Sequence, residues 1–169
     1  MASRVAKQRY AERPSGSPDE TPGLAHNRRK IGAQNVPSPM EILHPPGWPQ
    51  PRGYSNGVAA RGRQIYVAGQ VGWDEHCSFQ TDDFVGQARQ ALKNVVAVLA
   101  AGGAKPEHIT RMTWYVTSKD EYLGAGRALG LAYRDVIGRH YPAMTAVEVA
   151  ALIEDRAKVE IEVTAVVPE

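Results

Sequence analysis

The sequence holds a single cysteine, Cys77, in 169 residues. That excludes an internal disulfide and any cysteine-based metal cluster, and it fits a reducing compartment. No apolar run approaches the roughly 18 residues needed to span a bilayer. The N-terminus lacks the apolar core of a secretory leader, and Glu12, Asp19 and Glu20 dilute the arginines of a transit-like segment. The cytoplasm is therefore the expected compartment, with no membrane partner. A formal charge of +2 is too small to argue for nucleic acid on its own. The five histidines include no pair at i, i+4 spacing, so no metal set is expected. Neither GYSNG nor AGQVG leads directly into a helix, which speaks against a phosphate cradle. No cofactor is called for. Cys77 lies in a polar loop with no evident neighbour to activate its thiol, and it reads as exposed.

With 43% hydrophobic and 22% charged residues, a packed core is affordable and wholesale disorder is excluded. The length allows one domain plus an extension. Residues 1–45 read as a polar N-terminal extension, punctuated by Pro14, Pro18, Pro22, Pro37 and Pro39. Its basic cluster, Arg28–Arg29–Lys30, is either a solvated tail or an arm for RNA or a protein partner. The domain spans 46–169. Its entry, HPPGWPQPR, carries four prolines in nine residues. That composition forbids helix and central strand, leaving an extended surface segment with Trp48 as its apolar anchor.

Two short strands follow, Gly53–Ala60 and Gln64–Val71, joined by Arg61–Gly62–Arg63 as a hairpin. Gly69 inside the second strand marks a bulge or a close backbone approach. Phe84–Ala101 has helical apolar spacing, acidic N-cap candidates in Asp82 and Asp83, and a Gly102–Gly103 stop. Ile109–Thr117 reads as a strand, rich in β-branched and aromatic residues. A second helix starts at Ser118 or Asp120 and runs to about Ile137. Its Gly124, Gly126 and Gly130 suggest close packing against another backbone. Ala143–Val149 and Lys158–Val167, read as a second hairpin, complete the order ββ-α-β-α-ββ. This is an α/β (α+β) pattern, a single mixed sheet with both helices packed on one face. The other face would then lie open. With Met112, Trp114, Met144 and Ala146 assigned to it, covering by a second copy is expected, hence a homo-oligomer.

The last strand alternates. Val159, Ile161 and Val163 point one way, and Glu160, Glu162 and Thr164 the other. The acidic face is either the wet side of an ordinary sheet or the wall of a site where Glu160 orients water.

Six runs in order resemble the RidA family, also called YjgF/YER057c/UK114: GYSNGV, IYVAGQVG, QARQALKNVVAVLAAGGA, ITRMTWYV, YPA and VEIEVTAVV. They extend from about Tyr54 to Val167. The resemblance implies a chorismate-mutase-like fold, a homotrimer, and small-molecule sites in clefts between subunits where enamines or imines are deaminated. It also implies a catalytic Glu160 that orients water, within a site lined by Tyr54, Gly69, Gly126, Arg127, Met144 and Ala146. Two positions depart from the family pattern. Met144 stands where imine hydrolases of the family carry an arginine that pairs with the substrate carboxylate. Gly126 stands where an asparagine is expected. The resemblance therefore implies poor activity on simple 2-imino acids, with Arg111 or Arg127 as candidate substitutes for the lost charge. A non-catalytic ligand-binding trimer is the alternative. RNA binding or cleavage is a third reading, with only the Arg28–Lys30 cluster behind it.

Overall fold

The computed structural model describes residues 40–169. Its elements are β1 (Met40–Leu43), β2 (Gly57–Ala60), β3 (Arg63–Val71), α1 (Phe84–Ala101), β4 (Ile109–Val116), α2 (Lys119–Val136), β5 (Ala143–Glu148) and β6 (Val159–Val167). The main sheet has the order β3-β6-β4-β5. β6 runs antiparallel to both β3 and β4, and β4 runs parallel to β5. Two helices on a mixed sheet make an α+β fold, as the element order predicts.

Local signals set the helices. Asp83 caps α1, its carboxylate accepting from the Gly86 N–H at 2.7 Å, and Gly103, at φ 73°, follows the helix end. Ser118 caps α2 through the Glu121 N–H. Ala88, Leu92, Val95 and Leu99 of α1 are fully buried against Met112, Ile161 and Val163 of the sheet. Gln87 is buried with them and ties α1 to the chain entering β6. Its Nε2 donates to the carbonyls of Thr81 (3.0 Å) and Arg156 (2.9 Å), and its Oε1 accepts from the Lys158 N–H (2.8 Å).

Strand pairing departs from the hairpin expectation at both ends of the domain. β2 pairs with β1, in a separate two-stranded sheet, while β3 pairs with β6 over its length. Gly62 lies at the break: at φ 146° it sits against the Val167 backbone, where a Cβ would be 2.8 Å from the carbonyl carbon. β5 and β6 are not neighbours either. β6 inserts between β3 and β4, and β5 takes the edge. β1 falls inside the stretch read as polar extension. It is mostly exposed, so its apolar residues join no core, and backbone pairing with β2 holds it. Residues 1–39 of that extension, with Arg28–Lys30, lie outside the described residues. Trp48 is not an anchor, being 59% exposed.

The two sheet faces also differ from expectation. Met112 and Trp114 lie under the helices, 0% and 2% exposed. The uncovered face instead carries Arg111, Thr113 and Tyr115 of β4, in register with Thr164, Glu162 and Glu160 of β6. It is a mixed polar surface, so the apolar-patch argument for an oligomer does not hold in that form. The β6 alternation itself is as read: Val159, Ile161 and Val163 are buried, and the residues between them are half-buried on the opposite side.

Candidate functional site

The chain folds two candidate loci, one on each side of the sheet. The first lies at the β5 edge on the helix side. Pro142 immediately precedes β5, and the chain from Arg52 is pinned beside it. The Ser55 N–H donates to the Pro142 carbonyl (2.9 Å), and the Ser55 hydroxyl donates to the Tyr141 carbonyl (2.6 Å). Opposite them, α2 breaks its geometry at Gly126 (φ 10°, ψ −87°). Between α2 and the strands is a hollow of about 390 Å³.

Its walls are aromatic. Trp114 meets Tyr122 edge-on at 6.3 Å, and Tyr133 stacks on Tyr141 at 5.8 Å. Met144 adds a soft apolar surface. Arg52, Arg127 and Arg134 are exposed and line the same hollow. Burial raises the pKa of Tyr122, and burial with the neighbouring Tyr141 raises that of Tyr133 well above the usual phenol range. Both therefore stay neutral at physiological pH. The Tyr133 hydroxyl is committed, donating to the His140 carbonyl at 2.7 Å. The Trp114 Nε1–H is buried and has no partner.

The glycines of α2 do not pack against a backbone. A Cβ at Gly124, Gly126 or Gly130 would meet nothing within 4 Å. Gly126 and Gly130 open the hollow instead.

The second locus lies on the uncovered face around Glu160. Tyr115 stands opposite it in the β4–β6 ladder. A shallow depression of about 240 Å³ is lined by Tyr115, Glu160 and the loop residues Leu152 and Ile153. Ile153 is 94% exposed. The Tyr115 hydroxyl donates to Glu162 (3.2 Å). That bond, then desolvation and the Glu162 charge, raise its pKa. β3 carries a register shift between Val67 and Gln70, and within it Gly69 abuts Glu160. A Cβ there would fall on the Glu160 carboxylate. Both meanings read for Gly69, the bulge and the close approach, are therefore present at once.

The residues named from the sequence thus divide. Gly126, Arg127 and Met144 share the hollow, while Glu160 and Gly69 share the opposite face. Ala146 is exposed on β5, in register with Trp114. Tyr54 is 41% exposed beside the pinned Ser55. Within one chain, Glu160 and Met144 cannot face the same ligand. Trp114, Tyr122, Arg134 and Arg52 were not legible as site residues. The seven-residue spacing of Arg127 and Arg134 along a helix is the one signal that could have added Arg134 to the Arg127 already named. Among the described residues, no group of three or more His, Cys, Asp or Glu could hold a metal ion, and no helix is long and apolar enough to cross a membrane.

The geometry defines a class, a two-layer α+β chain with a hollow at one sheet edge and a carboxylate on its bare face, and comparison narrows that class. Residues 49–167 match the family described as endoribonuclease L-PSP, and the chain belongs to this family, the RidA or YjgF/YER057c/UK114 proteins. A 2-iminobutanoate/2-iminopropanoate deaminase of Dermatophagoides farinae is 31% identical over 127 residues, covering 74% of this chain and 94% of that protein. The Rid-family protein YyfB of Yersinia pestis, of unknown function, superposes with a TM-score of 0.66 at 28% identity, covering 77% of this chain and all of that one. Rv2704 of Mycobacterium tuberculosis, a YjgF/YER057c/UK114 member, gives 0.51 at 33% identity, over 68% of this chain and 87% of that one.

Proposed function

We infer that this protein is an enamine or imine deaminase that releases ammonia from a small molecule bound between subunits of a homotrimer in the cytoplasm. The observation that carries the reading is the fit of Glu160 against Gly69: a carboxylate given room by a missing side chain, on a sheet face that no helix covers. Relatives named as imine deaminases supply the reaction class. Because Met144 and Glu160 lie on opposite faces of one sheet, a second copy is needed to bring a hollow and a carboxylate together.

The chemistry asks little of the protein. Water adds to the iminium carbon, and the C=N electrons pass to nitrogen. Glu160 takes a proton from the water and passes it to the nitrogen, and the remaining hydroxyl proton then goes to Glu160 as the carbonyl forms and ammonia leaves. Met144 offers no charge to a carboxylate. Loss of such a paired contact costs on the order of 2–5 kcal/mol, so simple 2-imino acids should turn over poorly.

Ammonia release from freshly generated imines tests the reading. Glu160→Gln should lower the rate by on the order of 10²-fold or more, and an unchanged rate removes Glu160 from the mechanism. Met144 also favours a second reading, a trimer that binds ligands without turning them over. A cleft ligand bound stoichiometrically, with no ammonia from any imine, would establish it.

A further inference from the structure

We propose that the hollow beneath the α2 kink selects a bulky, aromatic imino or enamino acid, with Arg127 and Arg134 holding its carboxylate and the Trp114 ring forming a wall for its body. The proposal rests on the deaminase reading for the C=N group, while the recognition stands on the hollow itself.

Trp114 is the first observation. Its ring is buried and lines the hollow, while its Nε1–H is sealed from solvent. The indole thus offers a ligand a ring surface rather than a donor. The second is charge. Arg127 and Arg134 lie two turns apart on one face of α2, and both line the hollow. Neither has an ion-pair partner among the described residues, and Asp135 is already engaged by Arg89 at 3.0 Å. No acidic side chain lines the hollow among those residues. The kink at Gly126 restarts the helix at its edge, so the segment Arg127–Val136 adds the positive end of its dipole.

Size and lining supply the third. A volume of about 390 Å³ lies in the range that accepts drug-sized ligands, and a three-carbon imino acid would leave most of it empty. The edge-on Trp114–Tyr122 pair and the stacked Tyr133–Tyr141 pair present surfaces suited to a ring. Met144, soft and unbranched, packs against such a body where an arginine would compete with it for space. The anion is thus held from the helix rather than from β5.

Calorimetric titration of the full chain with phenylpyruvate, pyruvate and phenylacetone tests this without requiring turnover. Phenylpyruvate should bind at least about 10-fold more tightly than either of the others. Arg127→Ala and Arg134→Ala change exposed residues and should keep the fold. Each should weaken phenylpyruvate roughly 10-fold, a difference of the size one rim charge contact can carry, and leave phenylacetone unchanged. Equal affinity for pyruvate and phenylpyruvate, absence of any acid binding, or arginine variants with wild-type affinity would each overturn the proposal. If arginine variants bind normally while Glu160→Gln abolishes turnover, recognition fails and the deaminase reading survives. If no imine is turned over but the selectivity for phenylpyruvate and its arginine dependence hold, the reverse follows.

Discussion

Replacing Gly69 with alanine should cost turnover and almost no stability. A Cβ at this position would sit 2.6 Å from the Glu160 carboxyl carbon and 2.8 Å from its Cγ, where real Cβ contacts essentially never fall below 3.0 Å. The obstacle is the far end of a flexible side chain, so the carboxylate swings aside rather than the strands parting. Restoring ordinary contact requires a shift of about 1 Å, and a misplacement of that size costs on the order of 10²-fold in rate. A displaced rotamer costs about 0.5–1.5 kcal/mol. Against it, alanine recovers roughly 0.5–1 kcal/mol of the entropy that glycine loses in a strand. The net change in stability should be close to zero. Gly62→Ala provides the contrast. There the obstacle is the Val167 backbone at a φ of 146°, so stability should fall by about 1–3 kcal/mol with Glu160 untouched. The assays are ammonia release from imines and a urea or thermal unfolding curve for each variant. Wild-type turnover in a folded Gly69→Ala protein would refute the assignment of Glu160, because the carboxylate could not have kept its place.

Three further outcomes are expected. Met144→Arg should raise turnover of 2-iminopropanoate by about 10-fold or more, since a guanidinium at this position restores a charge contact worth a few kcal/mol; a rate no higher than wild type would contradict the role given to this position. Gln87→Leu should destabilise the fold by about 3 kcal/mol in urea unfolding, because it strands two carbonyls and an amide that the buried Gln87 side chain now satisfies; a loss near zero would show that water replaces it. The Tyr115 phenol should titrate above its usual value of 10.0, and Glu162→Gln should lower it, as read by absorbance at high pH. Its raised native pKa contributes stability that is present below about pH 10 and lost as the pH climbs through the native value.

How much of this was readable from the chain depends on the range of the interactions involved. The bounds of α1 follow from a 3.6-residue apolar period, a carboxylate at its start and glycines at its end, all within one stretch, and the helix spans the residues that these signals mark. The same holds for the Ser118 cap and for the alternation along β6. Gly69 could be flagged because a glycine inside a strand is costly wherever it occurs. Partner choice was not readable. β2 and β3 are separated by two residues and look like a hairpin, yet each pairs elsewhere, β2 with β1 and β3 with the distant β6.

The sheet order had a larger consequence. Local alternation in Ile109–Val116 shows that Met112 and Trp114 share a face, but not which face meets the helices. That depends on where β6 inserts. Its insertion between β3 and β4 buries Trp114, bares the polar face around Glu160, and leaves β5 at the edge with Met144 open to α2. Residue types and their periods are properties of short segments, whereas the division of the candidate residues between two sides of a sheet arises from pairing between strands far apart in the chain. The hollow is of the second kind: its aromatics, its arginines and its kinked helix meet only after β4, α2 and β5 have packed.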